Sequence, residues 1–206
     1  MALVCRRRPQ YLPEVIVQIL DHADLYPRAD LAYARQQVQA CDDASVAVAR
    51  EQVLTFIDAH DDALLRTCVP GHVTSSAFVY DRGRDRFVLL HHAKLRKWLQ
   101  PGGHADGDAN LPAVALREAS EETGIDGLRV ATPVLDIDVH RVEPPNETAH
   151  LHHDVRFLVL APEGALLRGN HESTDLRWCT MDDLDAFGCD DSVRRLVRAG
   201  RRMALD

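Results

Sequence analysis

The sequence predicts an α/β protein in which a helical extension precedes a core of strands and helix. Three observations carry this expectation. Before residue 68 the apolar residues recur at helical spacing, as in Val15, Ile16, Ile19 and Leu20, and again in Val53, Leu54 and Ile57. After Val69-Pro70-Gly71 the pattern becomes strand-like, with Thr74 to Tyr80 and Arg86 to His92 flanking the turn Asp81-Arg82-Gly83-Arg84-Asp85. Between the later strands lies one well-punctuated helix, residues 111–123. The chain therefore divides into an extension, 1–68, and a core domain, 69–206.

Taken in order, the extension reads as helices over Tyr11 to Leu25, Leu31 to Ala40 and Ser45 to His60, interrupted at Tyr26-Pro27-Arg28 and Cys41-Asp42-Asp43 by turn and cap residues. The hairpin opens the core. In the 111–123 helix Pro112 suits a first turn, Asn110 or Asp108 can cap it, Ala113, Val114, Leu116 and Ala119 supply apolar positions, and Gly124 suits the left-handed closing residue. Two runs then alternate strictly. Leu135 to His140 places Asp136, Asp138 and His140 on one face, and the run from His150 places His150, His152, Asp154 and Arg156 opposite His153, Val155, Phe157 and Val159.

Composition bounds the functional classes. With 206 residues, 46% hydrophobic and 27% charged, the chain has the make-up of a globular protein with a sizeable core. A net charge of −8 argues against a nucleic-acid polymer as partner, and the basic clusters Arg6-Arg7-Arg8 and Arg194 to Arg202 read as solvated termini. Cys5, Cys41, Cys68, Cys179 and Cys189 form no CxxC pair, which points to reduced thiols. No apolar run reaches spanning length and Met1 to Gln10 lacks a signal-peptide core, so no membrane and a cytoplasmic location are expected.

The chemistry concentrates in Arg117-Glu118-Ala119-Ser120-Glu121-Glu122-Thr123-Gly124. On a helix, Glu118, Glu121 and Glu122 stand at i, i+3 and i+4 and project together. Three like charges so placed call for a cation between them, and hard carboxylate oxygens select Mg²⁺, Mn²⁺ or Ca²⁺. The turn Pro101-Gly102-Gly103 upstream lets bare backbone N–H groups approach an anion. The unit suits a phosphate or diphosphate.

These residues resemble the Nudix box: Gly103, Arg117, Glu118, Ala119, Glu121, Glu122, Gly124 and Ile125 fall in register with it. One position departs, since the first glutamate of the pattern lands on Ala109; the string Gly102-Gly103-His104-Ala105-Asp106-Gly107-Asp108 is similar to a branch of that family, in which His104, Asp106 or Asp108 takes over its role. The resemblance implies a Nudix-type α/β/α sandwich with a mixed sheet, and a divalent-metal-dependent hydrolase that cleaves a diphosphate linkage in a nucleoside diphosphate derivative or related compound. It implies Mg²⁺ or Mn²⁺ held by Glu118, Glu121 and Glu122, with the Gly103 carbonyl completing the shell. Arg117 then orients a glutamate, with Glu121 four residues on as the expected partner, and Glu121, Glu122 or Glu172 from a later loop acts as general base. The strand Leu176 to Thr180 resembles the late strand of the family.

Other residues read less sharply. Gly102, Gly103, His104, Arg117, His152 and Asp154 are the candidate substrate contacts. His150, His152 and Asp154 either line the cleft, as ligands of a second metal or phosphate, or sit on a merely wet sheet face. His91, His92, Lys94, Arg96 and Lys97 suit either a distal phosphate or a solvated loop, and Trp98 reads as packing. The extension packs on the core or on a second copy of the chain, a homodimer. Two further classes stand beside the hydrolase: a domain that senses a nucleotide without cleaving it, to which Ala109 points, and a diphosphate isomerase on the same fold.

Overall fold

The computed structural model describes residues 17–144, 148–170 and 173–205. Strands β1 (Gln18–Leu20), β2 (Gly71–Asp81), β3 (Arg86–His92), β4 (Trp98–Leu99), β5 (Gly102–His104), β6 (Arg129–Val142), β7 (His150–Leu160) and β8 (Ser173–Cys179) form one sheet in the order β1-β6-β7-β2-β3-β4, with β5 on β2 and β8 on β3. Among the described residues only β2 and β7 pair in parallel, so the sheet is mixed, as expected.

Period-two alternation sorts the side chains. In β2, Val73, Ala77 and Val79 turn to one face while Phe78 and Tyr80 turn to the other. Helices α1 (Leu31–Gln39), α2 (Ala47–Ala59) and α3 (Leu111–Thr123) cover the first face, and α5 (Asp191–Leu205) covers the second with Val193, Leu196 and Val197 after the short α4 (Asp183–Ala186). The layers are therefore helix, sheet, helix. Residues of the extension do not stand apart: Ala34, Val38, Val53 and Ile57 belong to the same buried cluster as Val73, Ile137 and Phe157.

One expected element is replaced. Of the helix read over Tyr11 to Leu25, residues up to 16 lie outside the described residues, and the remainder is strand β1, paired antiparallel with Val130 to Thr132 of β6, followed by a 3₁₀ turn at His22–Asp24. β-branched Ile19 suits a pleated edge, and hydrogen bonds to the free edge of β6 outweigh a short helical periodicity. The helices over 31–39 and 47–59 form close to their expected bounds.

Helix α3 runs from Leu111 to Thr123 as predicted, with Pro112 in its first turn and Gly124 closing it at φ 62°. Its N-terminus is finished by a residue from the extension. Asn110 occupies the cap position without capping through its side chain; instead Gln37 of α1 accepts the Leu111 N–H at 3.1 Å and donates to the Ala109 carbonyl at 2.8 Å. Asp108 accepts from the Arg28 and Asn110 N–H groups at 3.0 and 2.9 Å. Ala109 is fully buried, so the position where the box pattern has glutamate is here packed beneath the extension.

Candidate active site

The short strand β5 carries the glycine turn against β2, with Gly102 opposite Ser76 and Gly103 opposite Ser75. Both glycines are required by close approach. A Cβ on Gly102 would fall on the Ser76 hydroxyl, and one on Gly103 would fall on the Glu118 carboxylate. Loop and helix thus interlock: Gly102 N–H donates to Glu122 Oε2 at 2.8 Å, and Glu118 Oε1 lies 3.0 Å from the Arg117 guanidinium. The partner of Arg117 is therefore Glu118 rather than the Glu121 that i,i+4 spacing suggested, because Arg117 also donates to the His104 carbonyl at 3.3 Å, which draws it toward β5.

Glu118, Glu121 and Glu122 open into one cleft of about 630 Å³ together with Gly102, Gly103, His104 and Arg117. The opposite wall comes from the sheet, through His140, His152 and Asp154. Glu122 is buried, Glu118 half-buried and Glu121 exposed. His92 and Lys94 also line the cleft. Trp98 instead stacks on Phe187 with ring centroids 4.2 Å apart, as a packing residue. Glu172 lies outside the described residues.

The polar face of β7 is not simply wet. Arg156, 2% exposed, donates to Asp154 at 2.7 Å, Asp136 at 3.0 Å and the Ser192 hydroxyl at 2.8 Å, while Arg195 of α5 binds Asp136 at 2.8 Å and Asp138 at 2.9 Å. Burial by itself would raise the Asp138 pKa, but the hydrogen bond from His140 and the Arg156 charge hold it well below the usual carboxylate range. Asp154 also accepts the Thr74 and Ser76 hydroxyls, at 3.1 and 2.8 Å. It is a clamp at the cleft floor, fully engaged by the protein.

Above that network the same face becomes imidazole. His104 is brought down to about 4 by burial and by the nearby Arg66 charge, and His152 to about 2 by burial and by the surrounding histidines, so both are neutral at pH 7. His153, on the other face, stacks on Phe56 at 4.0 Å, and burial lowers it to about 4. Asp106 is held by Arg66 through two 2.7 Å hydrogen bonds rather than reaching α3. Sequence reading missed Arg66 and Asn170, both of which line the cleft. Each sits in a segment without a motif, so only the fold brings them in.

Residues 70–199 match the model of the NUDIX domain. The chain belongs to the Nudix family. It is 30% identical over 118 residues to Phosphatase NudJ of Escherichia coli strain K12, covering 55% of this chain and 71% of that one, and equally to NudJ of Shigella flexneri. The crystal structure of a C. elegans Ap4A hydrolase binary complex shares the fold, with a TM-score of 0.53 at 18% identity over 65% of this chain and 97% of that one. The chain is thus an enzyme of the Nudix pyrophosphohydrolase type, and Nudix hydrolases work on small molecules with divalent metal. The isomerase reading falls away. Among the described residues no helix is long and apolar enough to cross a membrane, and Cys41, Cys68, Cys179 and Cys189 are unpaired and buried.

Proposed function

We propose that this Nudix enzyme cleaves the diphosphate linkage of a nucleoside diphosphate derivative or related compound with Mg²⁺ or Mn²⁺. One observation carries the reading: the three α3 carboxylates share a cleft with a glycine turn in which the absence of a Cβ on Gly103 leaves room for the Glu118 carboxylate. Hard oxygen donors fit such an ion, and Glu118, Glu121, Glu122 and the Gly103 carbonyl would hold it. When bound, the metal polarises phosphoryl oxygens and lowers the pKa of water.

The chain's own residues supply positioning. Gly102 N–H fixes Glu122, Arg117 fixes Glu118, and exposed Glu121 is the carboxylate open to take a proton from water. Glu172 stays a candidate for that role. Arg66, Lys94, His104 and His152 face the substrate, with a guanidinium and an ammonium suited to a diphosphate or its distal group. The hydrolase is favoured over a non-cleaving sensor because Ala109 is accounted for by packing beneath the extension. The four buried thiols suit a reducing compartment such as the cytoplasm.

The test is phosphorus NMR of products from nucleoside triphosphates, dinucleoside polyphosphates, nucleotide sugars and NADH, with Mg²⁺ and then Mn²⁺. Turnover that needs the ion and disappears in Glu122→Gln, with circular dichroism unchanged, is expected. Binding without hydrolysis across the panel would overturn it.

A further inference from the structure

We propose that His72, His150 and His152 form a binding site for a borderline divalent cation of the Zn²⁺ class, distinct from the carboxylates of α3. Among the described residues these are the three side chains whose potential ligand atoms all lie within 4.8 Å of one another.

The sheet builds this trio. His72 of β2 and His152 of β7 are register partners in the parallel pair, and His150 lies two residues before His152 on the same face. Strands about 4.8 Å apart set side chains in register at contact distance. The His72 ring is surrounded by imidazoles, with centroids at 4.8 Å from His104, 4.8 Å from His150 and 4.9 Å from His152. His72 and His150 are 2% and 8% exposed. A histidine buried only for packing sits as His153 does, flat on a phenylalanine. The rings of His72, His150 and His152 each offer one nitrogen within 4.8 Å of those of the other two.

The tautomer of one ligand is already set. His150 Nδ1 lies 2.7 Å from the Thr148 carbonyl, which can only accept, so Nδ1 carries a proton and Nε2 is the nitrogen left for a metal. A backbone carbonyl holding the far nitrogen of an imidazole is the usual outer support of a metal-bound histidine. A tetrahedral Zn²⁺ with bonds of about 2.0 Å sets its donors about 3.3 Å apart, so these rings need shift by roughly an ångström to close on it. Imidazole nitrogen suits Zn²⁺, Cu²⁺ or Ni²⁺ and competes poorly for Mg²⁺, whereas carboxylates suit Mg²⁺ or Mn²⁺. The two donor sets therefore select different ions. The fourth position falls to His104, whose ring is 5.2 Å from that of His152, or to water from the cleft that both line.

The experiment titrates chelator-stripped full-length protein with Co²⁺, a spectroscopic substitute for Zn²⁺. A single equivalent is expected to bind with the visible absorption of a four-coordinate ion, and Zn²⁺ is expected to displace it. His72→Ala and His150→Ala should each weaken binding by more than about 100-fold. Glu122→Gln should lose turnover and keep the Co²⁺ spectrum, so failure of this site and failure of the hydrolase reading are told apart. If the alanine variants do not fold, long-range imidazole ¹⁵N spectra of the wild type decide: Zn²⁺ should move the Nε2 signal of His150 and the ring signals of His72 and His152, and leave His22 and His60 in place. No uptake of Co²⁺ or Zn²⁺ by the folded protein, or uptake indifferent to His72 and His150, overturns the proposal.

Discussion

At Gly103 a single hydrogen in place of a methyl decides whether the Glu118 carboxylate can sit where it does. Gly103→Ala pushes that carboxylate aside by about an ångström, and misplacement of that size costs on the order of 100-fold in turnover. Measured kcat is expected to fall by about that factor while the thermal midpoint moves by only a few degrees; a variant as active as wild type would remove Glu118 from the reaction. His153 offers a contrasting case. Neither of its nitrogens finds a hydrogen-bond partner among the described residues, and its ring is used only as a flat surface on Phe56. His153→Phe is therefore expected to keep or raise stability in urea unfolding at pH 7, because two desolvated polar atoms are removed without loss of the stack. The residues of the box were legible because their spacing matches a helical turn. Arg66 was not, because its role rests on a contact with Asp106 forty positions away that no local pattern encodes.

Among the elements, α3 was readable to the residue: proline at its start, glycine at its end and an apolar stripe between them are all local signals. Its cap was not readable, since Gln37 comes from α1 and nothing in Tyr33-Ala34-Arg35-Gln36-Gln37 marks that side chain for a distant helix. Gln37→Ala leaves the Leu111 N–H and the Ala109 carbonyl without that partner and is expected to cost about 1–3 kcal/mol in chemical denaturation. An unchanged midpoint would show that water replaces the amide fully. The strand pair β6–β7 teaches the converse. Its alternation was plain, but whether the polar face meets solvent or protein depends on α5, which brings Arg195 and Ser192 onto it. Arg156→Met strands Asp136 and Asp154 in a buried setting and is expected to destabilise the fold by about 3–5 kcal/mol. The segment 18–20 misled for a related reason: its periodicity suits a helix, yet pairing across space with residues 130–132 decides its form.

For the molecule as a whole, the histidines set an acid limit. His104 and His153 titrate near 4 and His152 near 2 in the folded chain, against about 6.5 when unfolded. The unfolded state therefore binds more protons between those values, and stability rises with pH across the window. It is fully present above about 6.5 and is lost progressively as pH falls through 6 and 5 toward 4. Urea midpoints measured from pH 7.5 down to 4.5 should decline with a slope of more than one proton, and His153→Phe should make the decline shallower. A flat profile would mean that these rings are already solvated. The interlock of Gln37 and Asp108 with the start of α3 also bears on how this enzyme is cut for study. A fragment trimmed to residues 70–199, the span its family shares, would lose α1 and α2 and lay bare the patch that Val53, Phe56 and Ile57 now shelter. Such a truncate should aggregate, and an inert preparation of it would say nothing about catalysis.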